Sequence, residues 1–75
     1  MFKTILRIKY NKIAETIKIC EDIVKTSENK GEDFVYTIDG NNLIIYSDSK
    51  KRALARKYWF LHNTDKVIFG VVKDE

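Results

Sequence analysis

The chain has 75 residues, of which 44% are hydrophobic and 33% are charged, and its formal net charge is +3. These values are typical of one folded domain rather than of a disordered segment. The single cysteine, Cys20, excludes an internal disulfide, and no Cys/His spacing typical of a metal site occurs in the sequence. We therefore expect one domain over residues 1–75, without a metal or a cofactor.

We expect neither a signal peptide nor a membrane span in this sequence. The first ten residues, MFKTILRIKY, carry charges where a signal peptide has its apolar region. No apolar run approaches the roughly 18 residues of a membrane span. We expect a cytoplasmic protein with a reduced thiol. The excess of Ile and Lys over Leu and Arg resembles the composition found in AT-rich genomes, such as those of many phages and low-GC bacteria.

Residues 2 to 10 alternate between two rows, which is typical of a half-buried strand. The row expected to face the core contains Phe2, Thr4, Leu6, Ile8 and Tyr10. The row expected to face solvent or a partner contains Lys3, Ile5, Arg7 and Lys9.

A helix is expected to follow Asn11, a residue that can cap a helix. The apolar residues that recur there at helical spacing are Ile13, Ile17, Cys20 and Val24, with Ile23 beside them. Ile19 falls outside this stripe. We expect the helix to end near residues 27–29, with Gly31 as a stop signal.

Two short β-rich runs come next, at residues 33–39 and 43–47, and Asp39-Gly40-Asn41-Asn42 is a turn signal between them. Asp48 or Ser49 can then cap a second helix. Leu54, Tyr58 and Leu61 recur in that helix at i, i+4 and i+7, which predicts that they form its buried stripe together with Ala53 or Ala55. Trp59 or Phe60 must then lie at the edge of the stripe or outside it.

Residues 62–65 should end the second helix, residues 66–72 should form a last strand, and residues 73–75 should fray. The order of elements is β-α-β-β-α-β. This order predicts an α+β fold, a ferredoxin-like sandwich in which two helices cover one face of a four-stranded antiparallel sheet. The first and third strands should be central, and the other face of the sheet should stay open.

Evidence for an enzyme is weak. His62 is the only histidine, and Cys20 lies on the predicted apolar stripe, where a small hydrophobic side chain is expected. The three glycines stand alone and make no phosphate-binding loop. The third strand, NLIIYS, lacks the aromatic signature of RNA-recognition motifs. We expect a protein that is not an enzyme.

Two cationic segments carry the candidate contact residues. The candidates on the second helix are Lys50, Lys51, Arg52, Arg56, Lys57 and Trp59. The candidates on the sheet are Lys3, Arg7, Lys9 and Tyr46. The sequence leaves open whether Ile44 and Tyr46, or Leu43 and Ile45, share the face of the first strand's cations. Cations beside aromatic rings are typical of surfaces that bind phosphates and unstacked bases.

These features predict a small binding module that engages an anionic macromolecule, RNA or single-stranded nucleic acid, through the basic-aromatic helix. An alternative is a phage-like accessory protein that binds an acidic protein surface and inhibits a host toxin, nuclease or defence factor. A homodimer through the open sheet face, and a metabolite-responsive dimer of the same fold, are further possibilities.

Overall fold

The computed structural model describes residues 1–29 and 33–74. Within these residues the chain forms an open, four-stranded antiparallel sheet and two helices. The elements in chain order are β1 (Phe2–Ile8), α1 (Ile13–Asn29), β2 (Val35–Asp39), β3 (Asn42–Ser47), α2 (Lys50–Asn63) and β4 (Val67–Asp74). The strand order is β2-β3-β1-β4, so the prediction that the first and third strands are central is confirmed.

One prediction about the C-terminal end of the chain is wrong, and two predicted features lie outside the described residues. The predicted fraying of residues 73–75 is wrong for Lys73 and Asp74, because these residues pair with Lys3 and Phe2 of β1. Glu75 and the predicted helix stop at Gly31 lie outside the described residues.

Gly40 has a φ of 61° in the tight connection between β2 and β3, a conformation in which most side chains are strained.

The register of the sheet assigns each strand residue to one of two faces. Lys3 of β1 pairs with Tyr46 of β3, and Ile5 pairs with Ile44. Because paired residues lie on the same face, Ile44 and Tyr46 share the face of the odd-numbered β1 residues. Their β4 counterparts are Val71, opposite Ile5, and Lys73, opposite Lys3. The sequence left this parity open, and the register resolves it.

The core lies against the other face of the sheet. The buried cluster contains Leu6, Ile8, Cys20, Phe34, Leu43, Ile45, Phe60 and Val67. Both helices contribute to this cluster, α1 through Cys20 and α2 through Phe60. The predicted core row of β1 is confirmed for Thr4, Leu6 and Ile8, whereas Tyr10 is 84% exposed because β1 ends at Ile8.

The predicted apolar stripe of α1 is confirmed at four positions, which lie in or against the core cluster: Ile13, Cys20, Ile23 and Val24. Thr16 and Ser27 are buried as well, while Ile17 is half-buried. The Thr16 hydroxyl donates a 2.7 Å hydrogen bond to the carbonyl of Lys12, so this polar side chain can be buried without an unpaired group. Ile19, which the apolar pattern leaves outside the stripe, packs against the core cluster.

The buried stripe of α2 is different from the predicted one. Ala53 and Phe60 are buried, and Leu61 packs partly against the core. Tyr58 is 53% exposed, so the prediction that it ties the helix to the core is wrong. The Thr4 hydroxyl donates a 2.9 Å hydrogen bond to the carbonyl of Ala53, which fixes the close approach of the helix to β1 at that point.

A small ionic network joins the start of α1 to the segment before β4. Lys66 Nζ lies 3.0 Å from Glu15 Oε2 and 2.9 Å from Asp65 Oδ1. Hydrogen bonding from Lys66 lowers the pKa of both carboxyls, and the pairing with Asp65 and then Glu15 raises the pKa of Lys66. The network is exposed, so its contribution to stability is expected to be small.

The rotation of α2 predicts the relative cost of two aromatic substitutions. Phe60→Ala should lower the free energy of unfolding by about 3 to 5 kcal/mol, because it leaves a cavity in the core. Tyr58→Ala should cost less than about 1 kcal/mol, because that ring is largely in solvent. Urea denaturation followed by circular dichroism measures both. Equal costs would contradict the observed orientation of the helix.

The Lys66 network predicts a pH dependence. Folding lowers the carboxyl pKa values of Glu15 and Asp65 from their ordinary values of 4.5 and 3.8. The stabilisation from these carboxylates is therefore present above the ordinary pKa values, and it is lost as the pH falls through the pKa values of the folded protein. The pKa of Lys66 is raised from 10.5, so its stabilisation is lost only as the pH rises through the folded value. The stability difference between wild type and Lys66→Met should therefore persist from about pH 5 to about pH 10 and shrink on both sides.

Urea midpoints measured across this pH range test the prediction. The control is Lys25→Met, which removes the same charge from an exposed position on α1. A Lys66→Met difference that does not change with pH would show that only the packing of the side chain matters.

Candidate functional site

The N-terminus of α2 is cationic and well capped. The Ser49 side chain accepts a 3.2 Å hydrogen bond from the backbone N–H of Arg52, which confirms Ser49 as the cap. Lys50 and Lys51 are exposed in the first turn, which contains no acid. Exposed cations beside outward-pointing helix amides favour the approach of an anion. Asp48 moderates this charge, since its carboxylate lies 3.8 Å from Nε of Arg52.

One side of α2 carries four residues that we call the α2 strip: Arg52, Ala55, Arg56 and Trp59. Their spacing of i, i+3, i+4 and i+7 places them in one line along the helix. The strip lines a shallow concavity, with Ala55 as its floor between the two arginines and the indole. Arg52 and Arg56 therefore share one flank of the helix.

Trp59 is exposed and yet held in position. Its side chain is 41% exposed, and its ring meets the buried ring of Phe60 edge-on, with 4.9 Å between the centroids. The carbonyl of Trp59 accepts a 3.0 Å hydrogen bond from the Asn63 side chain. The contact with Phe60 restricts the indole ring, which therefore loses less conformational entropy when a partner stacks on it.

Arg56 is held by the core as well. Its guanidinium lies 4.8 Å from the centroid of the Phe34 ring, within the range of a cation–π contact. Lys57, in contrast, does not continue the strip. Its aliphatic stem lies against Gly70 of β4, and its ammonium lies 5.6 Å from the Tyr58 ring centroid. The helix cations are thus divided between two sides of α2.

A second concavity, of about 370 Å³, lies where three strands meet the start of α2, and we call it the strand-end cleft. Its lining residues are Met1, Asp33, Phe34, Val35, Tyr46, Ser47, Asp48, Arg52 and Arg56. The two arginines belong to this cleft and to the α2 strip. The cleft therefore joins the helix surface to Tyr46 on the opposite face of the sheet.

A third concavity, of about 430 Å³, lies between the two helices. Ile19 and Ile23 of α1 form one wall, and Arg56 and Trp59 of α2 form the other. Asp22 adds a carboxylate to the wall from α1. Trp59 thus borders two concavities, the one lined by the α2 strip and this one between the helices.

The open sheet face holds three of the four sheet candidates. Lys3 Nζ lies 5.8 Å from the centroid of the Tyr46 ring, and Arg7 is exposed between Asn42 and Phe69. Lys9 is not part of this face. It follows the end of β1, beyond an irregularity in pairing between Arg7 and Ile8, and its charge helps to lower the pKa of Asp65.

The centre of the open face is apolar. Ile44, Ile5 and Val71 are direct cross-strand neighbours, and Val71 is 41% exposed. The flanking apolar residues of this face are Val35, Tyr46 and Phe69. Sequence reasoning missed Phe69 and Lys73 as members of the face. Their alternation along β4 was the available signal, but it did not show which row pairs with Lys3 and Arg7.

The single cysteine is buried in the core, and the single histidine lies near the end of α2. Burial raises the pKa of the Cys20 thiol to about 12, with a smaller contribution from Glu21, so this thiol stays protonated at neutral pH. The prediction that Cys20 is a buried small hydrophobic residue is confirmed by its 0% exposure. The His62 ring stacks on Tyr58 at 6.1 Å, near the end of α2.

Among residues 1–29 and 33–74, no cluster of three or more His, Cys, Asp or Glu side chains could hold a metal ion. In the same part of the chain, neither helix is long and apolar enough to cross a membrane.

A comparison with known proteins found no matching family model, no matching curated protein and no matching solved structure.

Proposed function

We propose that this chain is a non-enzymatic binding module for single-stranded nucleic acid, either RNA or single-stranded DNA, and that it contacts the strand through the α2 strip. The observation that carries the proposal is the alignment of Arg52, Arg56 and Trp59 on one outward-facing line of α2. Guanidinium groups bind phosphates, and an exposed indole stacks on an unpaired base. The line supplies both kinds of contact, two guanidinium groups followed by one indole.

A single strand fits the strip better than a duplex does. Stacking on Trp59 requires a base whose face is accessible, and the bases of a duplex already stack on each other. Lys50 and Lys51 extend the cationic surface past Arg52 to the N-terminus of α2, where the backbone amides also favour phosphate. Little base readout is expected on this line, because its side chains meet phosphates and ring faces.

We also propose that the arrangement of elements is the ferredoxin-like sandwich. The support is the strand order, which is β4-β1-β3-β2 when counted from the other edge, and the contribution of both helices to the core on one sheet face. In such a sandwich the α2 strip and the open face point in different directions.

The proposed contact predicts salt-dependent binding that weakens when the arginines are neutralised. A labelled 12-nucleotide oligo(U) should bind at about 50 mM KCl, with affinity falling steeply as salt rises. Arg52→Gln combined with Arg56→Gln should weaken binding and reduce the salt slope by about 1.4, since each lost phosphate contact on a single strand contributes about 0.7. Fluorescence anisotropy measures both quantities.

The matched control is Lys18→Gln combined with Lys25→Gln, which removes two exposed charges from α1. It should change the affinity much less than the arginine variant. Trp59→Ala should cost about 1 to 3 kcal/mol of binding free energy, the value of one stacked base. Because Trp59 is the only tryptophan, its fluorescence reports stacking directly. Absence of binding at 50 mM KCl, or an equal effect of both charge variants, would contradict the proposal.

A second candidate function is protein binding through the open sheet face, as an inhibitory accessory protein or as a homodimer. The apolar row of Ile44, Ile5 and Val71 favours it, because such rows commonly mark protein contacts. Val71 is exposed, and the two isoleucines are half-buried. The face measures only about 20 Å by 20 Å from strand spacing and length, so self-association through it should be weak.

The homodimer predicts a concentration-dependent shift that one substitution removes. Sedimentation velocity at about 100 µM should detect dimer in the wild type and monomer in Val71→Glu, because the change places a charge in the apolar row. Ile68→Glu is the control, since Ile68 is 58% exposed at the irregular end of β4, outside that row. A wild type that is monomeric at this concentration would exclude the homodimer.

A further inference from the structure

The strand-end cleft continues the surface on which the α2 strip would hold a nucleic-acid strand. Arg52 and Arg56 line both concavities, so a backbone that follows the two guanidinium groups passes along the rim of the cleft. Beyond that rim lies Tyr46, whose ring also faces the open side of the sheet. A flexible nucleic-acid strand bound on the α2 strip therefore has the strand-end cleft directly beside its phosphates.

The charges of the cleft determine which part of the strand can enter it. The arginines stand on the α2 side, whereas the carboxylates of Asp33 and Asp48 line the cavity. These carboxylates repel phosphate and accept hydrogen bonds from N–H groups. Phe34 and Val35 add an apolar wall. A volume of about 370 Å³ with apolar walls and a few polar groups is within the usual range for a small flat ligand.

We propose that the strand-end cleft receives one unstacked base of the bound strand and favours cytosine over thymine or uracil. The proposal rests on the function proposed above, because the strip must hold the strand. Asp33 is the acceptor, since Asp48 is already engaged by Arg52 at 3.8 Å. A carboxylate accepts a hydrogen bond from the N4 amine of cytosine. Thymine and uracil present a carbonyl oxygen at that position, which the carboxylate repels.

Two DNA octamers, oligo(dC) and oligo(dT), test this specificity, because they offer the same number of phosphates and differ in the base edge. Fluorescence anisotropy at pH 7.5 and about 50 mM KCl should give about fivefold tighter binding of oligo(dC), the lower end of what one base-edge contact contributes. Asp33→Ala should make the two affinities equal. Tyr46→Ala should weaken the binding of both octamers.

The matched control is Asp39→Ala, which removes the same charge from the opposite end of the β2 segment. It should strengthen the binding of both octamers by the same factor and preserve the fivefold preference. Equal affinities in the wild type, or a preference that survives Asp33→Ala, would overturn the assignment of the cleft.

The test also distinguishes this inference from the function on which it rests. If the octamers bind equally and both lose affinity when Arg52 and Arg56 are changed to Gln, the base site is wrong and the α2 strip remains a nucleic-acid contact. If neither octamer binds, the nucleic-acid function fails and the base site fails with it.

Discussion

The rotation of α2 about its own axis is the constraint on which the surface of this protein depends. Burial of Phe60 and the hydrogen bond from Thr4 to the carbonyl of Ala53 fix that rotation at two points, almost two turns apart. Once Ala53 and Phe60 face the sheet, Arg52 and Trp59, each one residue earlier, lie about 100° round the helix on its flank. The cationic first turn works against the helix dipole by roughly 0.3 to 1 kcal/mol per charge, so tertiary packing has to hold this helix in place.

The sequence predicted the elements better than it predicted their orientation. The alternation in β1 identified the buried row, because the row of Thr4, Leu6 and Ile8 alternates with one that is cationic except at Ile5. The third strand is apolar on both faces, so its parity depends on pairing with β1, which no local pattern contains. In α2, Leu54, Tyr58 and Leu61 have the same helical spacing as the true stripe. The choice between the two depends on the small size of Ala53, which allows the close contact with Thr4.

The site could be predicted only in part, because some of its residues are close together in the sequence and others are far apart. The two arginines are four residues apart on one helix, and their shared flank follows from helix geometry alone. The strand-end cleft combines Phe34 from the segment before β2, Tyr46 from β3 and Arg56 from α2, and these residues meet only after the sheet has formed. The helix cations are divided between two sides of α2 for the same reason, because the position of Lys57 depends on a strand that is distant in the sequence. Lys57 is drawn to β4 because Gly70 leaves room for its aliphatic stem, and this contact is invisible in the charge pattern.

The strand-end cleft and the open sheet face share Tyr46 and Val35, and this overlap has an energetic consequence. A partner that covers the sheet face would fix the Tyr46 ring and cover that side of the cleft. A base in the cleft would restrict the same ring. Because coupling between two sites is reciprocal, each ligand must then weaken the other by the same factor. Trp59 and Ala55 lie on the outer side of α2, so contacts made there alone are independent of what covers the sheet. Occupancy of the open face would therefore reduce base specificity more than it reduces phosphate binding.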